Sequence, residues 1–129
     1  EDGDILIYDY KTGTPPSVAE QKAFDKQLLL EAAMVEEGGF KEIGPAPVAQ
    51  AAYIGLGSKP VERPAPLEDE PPHEVLAKLH ALITSYLSDE QGFTARRMVK
   101  TTDFAGDYDQ LARFGEWDAT TEPTPEDLT

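Results

Sequence analysis

Apolar and polar positions are most densely patterned near the start of the chain. Residues 4–11 hold Ile5, Leu6, Ile7, Tyr8 and Tyr10, side chains that suit a pleated surface, and they predict a first strand. Glu1-Asp2-Gly3 before it carries a hairpin-turn signal with no strand on its near side, so the pattern reads as a fold entered in the middle of a hairpin. Thr12-Gly13-Thr14-Pro15-Pro16 makes a rigid loop, and Ser17-Val18-Ala19-Glu20 is a capping box that opens a helix. That helix is predicted over residues 18–37, with Phe24, Leu28, Ala32 and Val35 on one stripe and Gly38-Gly39 as a left-handed stop. Residues 48–57 predict a second strand. Val48, Ala52, Ile54 and Leu56 on one face and Ala49, Ala51 and Tyr53 on the other suggest cover by helices on both sides. Five prolines and the acidic run Glu68-Asp69-Glu70 make residues 59–72 a loop or a frayed edge strand. A second helix follows over 73–87, built on Val75, Leu76, Leu79, Leu82, Ile83 and Tyr86.

Beyond Gln91 the periodicity weakens to a short helix over 107–114, Trp117 as an anchor, and an acidic tail. Residues 1–117 are expected to form the body and 118–129 the tail. The order strand, helix, strand, helix implies an α/β fold with a parallel strand pair joined by a right-handed crossover.

At 129 residues the chain is one domain or part of one. Its formal net charge of −14 repels a phosphate backbone, whereas self-sufficient nucleic-acid binders carry a basic face. Metal-binding sites nevertheless need clustered carboxylates, whose repulsion the cation relieves, and a grip on nucleic acid can reside in other domains. Arg96, Arg97 and Lys100 are the one basic cluster, as apt to touch DNA phosphates as to pair with local acids. The absence of cysteine excludes disulfides and cysteine-ligated zinc or iron–sulfur sites. No apolar run reaches the roughly 20 residues that span a bilayer, so no membrane partner is expected. His73 and His80 are too far apart for a zinc-binding helical pair and read as surface residues. Gly55-Leu56-Gly57-Ser58-Lys59 lacks Walker A spacing and reads as a strand-end turn.

Chemistry gathers at the end of the first strand. Asp9 and Lys11 are two residues apart, hence on one face of the strand. Asp9 can offer oxygen to a hard cation, with the Tyr10 backbone carbonyl as a second oxygen ligand, and Lys11 can offset charge on a reacting phosphate. Asp-x-Lys by itself is a common strand-end ion pair; the residues around it change its meaning.

Ile7-Tyr8-Asp9-Tyr10-Lys11-Thr12-Gly13, followed by Lys26-Gln27-Leu28-Leu29-Leu30, resembles the signature of RecB-like PD-(D/E)XK nucleases. Ala52-Tyr53-Ile54-Gly55-Leu56-Gly57 and the segment from Gly106 to Trp117 extend the likeness to AddA-type subunits of bacterial helicase–nuclease complexes. The lack of cysteine separates the chain from the iron–sulfur relatives. The resemblance implies a three-layer α/β/α restriction-endonuclease-like core, here truncated at its N-terminal side. It also implies Asp9, Lys11 and Gln27 as catalytic residues and Mg²⁺, or Mn²⁺ in its place, held by Asp9 and the Tyr10 carbonyl. The implied function is DNA cleavage within an ATP-dependent double-strand break repair enzyme in the bacterial cytoplasm, with DNA engaged through the full-length protein and an AddB-like partner subunit.

Two departures from the family pattern stand out. Glu31 replaces a tyrosine that many relatives place four residues after the glutamine, and it reads as an exposed glutamate or an additional metal-proximal carboxylate. The family's second metal-binding aspartate and its histidine would precede Glu1. The fragment is therefore expected to be inactive alone and to self-associate through an exposed sheet edge. The alternative from a different class is a non-catalytic acidic protein–protein docking module of a DNA repair assembly.

Overall fold

The computed structural model describes residues 3–93, 109–113, 115–117, 120–122 and 124. The β-formers at the start of the chain make β1 (Ile5–Lys11), which runs parallel to β2 (Val48–Gly55). An antiparallel edge strand, β3 (Val61–Pro64), completes the order β1-β2-β3. The parallel pair is the one that the alternation of strand and helix demands. The Pro-rich stretch supplies β3, which ends at Pro64; the next cross-strand bond is made by the Ala65 amide to the Ala51 carbonyl at 2.8 Å, so the missing proline amide does not interrupt it.

The helix expected over 18–37 is two helices, α1 (Val18–Ala23) and α2 (Gln27–Glu36). The predicted capping box starts α1: the Glu20 amide donates to Ser17 Oγ at 3.3 Å and the Ser17 amide to Glu20 Oε2 at 2.9 Å. The chain leaves helical geometry at Phe24 (φ −128°, ψ −45°) and re-enters after Lys26 (φ −94°, ψ 8°). Asp25 occupies the break. Its Oδ1 accepts the Tyr53 hydroxyl at 2.5 Å and the Gln27 amide at 3.4 Å. Aspartate competes with the helix backbone for hydrogen bonds, and here the competing bonds win. At the far end Gly38 adopts φ 73°, and the amides of Gly38 and Gly39 return to the carbonyls of Val35 and Met34.

Leu28, Leu29, Ala51, Tyr53, Ala65 and Val75 form the buried cluster, joined by Ile7, Leu30 and Leu67. One sheet face, that of Ile7, Ala51 and Tyr53, thus carries α2. The other face presents Leu6, Tyr8 and Tyr10 to solvent. Helices on both sides of β2 were expected; among the described residues α2 covers the face of Ala51 and Tyr53, while on the other face Ala52 is buried and Leu6, Tyr8 and Tyr10 are exposed. The polar pair Gln50 Nε2 to Glu62 Oε1, at 2.6 Å across β2 and β3, belongs to this open face and suits it to water.

The third helix, α3 (Pro72–Tyr86), begins at Pro72 and sends Val75 into the cluster. Just before it, Glu70 pairs with Lys26 at 3.2 Å and Lys78 at 3.1 Å, while Asp69 pairs with Lys22 at 2.7 Å. These pairs tie the approach to α3 to the α1–α2 joint.

The chain divides into two compact units, Glu1–Leu82 and Ile83–Thr129. In the second, Tyr86 stacks on Phe93 with ring centroids 5.0 Å apart, and Trp117 Nε1 donates to the Ala112 carbonyl at 2.7 Å. Residues 109–113 form turns; the rest of the helix expected over 107–114 lies outside the described residues, as do Arg96, Arg97, Lys100 and most of the tail. No helix among the described residues is long and apolar enough to cross a membrane.

Candidate active site

Strand alternation places Asp9 and Lys11 on the face of β1 that α2 covers. Asp9 Oδ2 and Lys11 Nζ are 2.9 Å apart, with the two side chains 25% and 33% exposed. Gln27 is the first residue of α2, and it meets this pair from above. Lys11 Nζ donates to Gln27 Oε1 at 3.2 Å; Gln27 Nε2 donates to Asp9 Oδ1 at 3.4 Å and to Glu31 Oε1 at 3.0 Å. The amide therefore shows oxygen to the cation and nitrogen to the carboxylates, so every group meets a partner of the opposite polarity. Glu31, read from sequence as an exposed glutamate or an additional metal-proximal carboxylate, is half-buried and accepts from Gln27 one helical turn away.

The donor set suits a hard cation. Asp9 Oδ2 is buried and has no hydrogen-bond donor, since the nearby ammonium makes an ion pair without hydrogen-bond geometry. The Lys11 carbonyl accepts from Leu56 N at 2.8 Å. Alternate residues of a parallel strand direct their backbone groups to opposite sides, so the Tyr10 carbonyl is directed away from β2, toward the side of β1 that has no strand neighbour among the described residues. Asp9 and the Tyr10 carbonyl could each offer an oxygen to a cation. Among the described residues no group of three acidic, histidine or cysteine side chains forms a metal cage. A cation on these two oxygens would keep several waters or take further ligands.

Sequence reasoning missed two residues that shape the site. Tyr53 counts as a strand apolar residue in the pattern, yet its ring lies 5.0 Å beneath Lys11 Nζ and its hydroxyl holds Asp25. Burial first, and then the bond to the Asp25 carboxylate, pushes the phenol well above its ordinary range. Asp25 lies within the helix expected over 18–37, where an aspartate is at most a weak hint of a break. Gln21 is a third surprise: buried in α1, it donates to the carbonyls of Pro16 and Pro64 at 3.3 and 3.4 Å. His73 and His80 are exposed on α3, and residues 56–60 turn from β2 into β3 with no helix, as expected.

No match was found among curated proteins or solved structures. The family description "PD-(D/E)XK nuclease superfamily" matches residues 1–119. The mixed α/β sheet with helices on its face is consistent with the restriction-endonuclease-like fold of that superfamily, whose nucleases are metal-dependent phosphodiesterases. The chain belongs to the PD-(D/E)XK nuclease superfamily.

Proposed function

We propose that this chain carries the Asp-x-Lys half of a Mg²⁺-dependent DNA nuclease site, and that it serves an ATP-dependent helicase–nuclease of the AddA kind in double-strand break repair. The observation that carries this reading is the convergence of Asp9, Lys11 and Gln27, residues from β1 and α2, within hydrogen-bonding distance of one another. Asp9 and the Tyr10 carbonyl would hold the cation, with Mn²⁺ able to replace Mg²⁺. When bound, the cation supplies positive charge at the scissile phosphate and lowers the pKa of an attacking water. Lys11 places its ammonium where negative charge grows on the phosphate, or orients the water. Gln27 holds that ammonium through Oε1 and keeps the Asp9 carboxylate aligned through Nε2.

Further metal ligands come, in this reading, from a strand set against the free edge of β1. The net charge of −14 fits a catalytic segment whose DNA grip lies in other domains, with Arg96, Arg97 and Lys100 as local phosphate contacts. An AddB-like subunit is the proposed partner and the bacterial cytoplasm the proposed location. The same charge favours a second reading, a non-catalytic acidic docking module.

One experiment separates them. In the full-length protein, Asp9→Ala or Lys11→Ala should reduce DNA cleavage by at least about 10²-fold while unwinding persists. Cleavage and unwinding that both survive would favour the docking module. Loss of both would mean that the substitution had merely unfolded the domain.

A further inference from the structure

We infer that Tyr53 and Asp25 are positioning residues for this site: their bond breaks the helix so that Gln27 opens α2 beside Asp9, and the Tyr53 ring forms the floor under the Lys11 ammonium. The catalytic meaning of this inference rests on the proposed nuclease function; its geometry does not.

The sheet register sets up the arrangement. Asp9 pairs with Tyr53 and Lys11 with Gly55. Gly55 offers no side chain of its own opposite Lys11, the space over it being taken by Val61 and Pro15, and the lysine ammonium lies 5.0 Å from the centroid of the Tyr53 ring. That is within the ~6 Å over which a ring face attracts a cation. A lysine side chain has four rotatable carbons and little intrinsic direction. Here it is confined on three sides, by the Asp9 carboxylate, the Gln27 carbonyl oxygen and the aromatic face.

The hydroxyl does the second part. Tyr53 is fully buried, and a buried phenol needs an acceptor. It donates to Asp25 Oδ1 at 2.5 Å, and the same oxygen accepts the Gln27 amide at 3.4 Å. Lys26, the residue flanking α2, makes no side-chain cap, so Asp25 is the side chain that serves the first amide of α2. Holding Asp25 against β2 interrupts the run of helix and restarts it with Gln27 over the strand ends. One tyrosine thus fixes the height of the lysine and the starting point of the glutamine helix.

The test is solution NMR on the 129-residue chain itself, with Tyr53→Phe, Tyr53→Leu and Asp25→Ala variants. In the wild type the Lys11 ε-methylene signals should be displaced upfield of the other lysines by the ring current. Tyr53→Phe keeps the ring and should keep that displacement. Tyr53→Leu should return the signals to the position of the other lysines. Tyr53→Phe and Asp25→Ala each remove the bond, so each should move the Gln27 side-chain amide signals toward those of exposed glutamine while the Ala51 and Ala52 amides stay in place.

If Tyr53→Leu fails to fold, the wild-type Lys11 shift and the other two variants decide. A wild-type Lys11 signal at the ordinary lysine position would overturn the role of the ring. Unchanged Gln27 signals in both Tyr53→Phe and Asp25→Ala would overturn the role of the bond. These readouts need neither metal nor DNA, so a failed cleavage test would refute the nuclease reading without touching them.

Discussion

Gly55→Ala tests how closely the strand ends are packed around the site. A Cβ at this position would lie 2.9 Å from Val61 Cγ1, 3.0 Å from Pro15 Cγ and 3.1 Å from Pro15 Cδ. Neither neighbour is the loose end of a flexible chain: Val61 is stiff at χ1 within β3, and Pro15 is a buried ring. Relief must come from moving backbone, either of β3 or of the loop that follows Lys11. Overpacking of this kind costs about 1–3 kcal/mol, while losing a glycine from the unfolded chain returns about 0.4–1 kcal/mol. The net expectation is a loss of roughly 1–2 kcal/mol, which lowers the urea midpoint by about 0.5–1 M at an unchanged slope for a protein of this size. Gly57→Ala is the matched control, because a Cβ there meets nothing within 4 Å. Urea unfolding followed by circular dichroism reads both. A Gly55→Ala protein as stable as wild type would show that Pro15 and β3 yield freely, and that the loop after Lys11 is not pinned by this contact.

Ser17→Ala removes one half of the capping box of α1 and should destabilise the chain by about 1 kcal/mol in the same assay. Glu70 accepts from Lys78 and Lys26, which hold its carboxyl below the usual glutamate range. A depressed folded value means that the stabilisation is complete above the unfolded value, near 4.3, and disappears as pH falls through the folded one. The difference in melting temperature between wild type and Glu70→Gln should therefore be largest at neutral pH and shrink as the solution is acidified below about pH 4; a difference that grew on acidification would contradict the assignment. β1 has no neighbour on its far side among the described residues, and Leu6, Tyr8 and Tyr10 are exposed on its open face. Light scattering should accordingly show self-association that rises with concentration and weakens in Leu6→Lys; a strict monomer at every concentration would refute that edge as a pairing surface.

The parts of the fold that were legible in the sequence are those set by strong local chemistry. Ile5 to Tyr10 could hardly be other than a strand, Ser17 and Glu20 declared a helix start, and Gly38 declared its stop. The grouping of Asp9 with Lys11 followed from the two-residue period of a strand. Gln27 came from resemblance alone, since a glutamine on a helix carries no directional signal of its own. The break at Asp25 stayed hidden because its cause is tertiary: the competing partner is the hydroxyl of Tyr53, which arrives 28 residues later. The choice between the two readings of Glu31 was open for a related reason, since its partner is an amide that is itself held by Lys11. The exposure of Leu6, Tyr8 and Tyr10 on the second sheet face was obscured because Gln50, a polar residue on that face, was left out of the apolar pattern.

The central claim is that the Asp9 carboxylate, whose Oδ2 is buried and has no hydrogen-bond donor, is the metal end of a nuclease site. Mn²⁺ titrated into the isotopically labelled chain tests this directly, because its paramagnetism broadens nearby signals even when binding is weak. Broadening should centre on Asp9, Tyr10 and Lys11, reach Gln27 and Glu31, be competed by Mg²⁺, and vanish from these residues in Asp9→Asn. Signals at the end of β1 that stay sharp, or that broaden equally in Asp9→Asn, would contradict it.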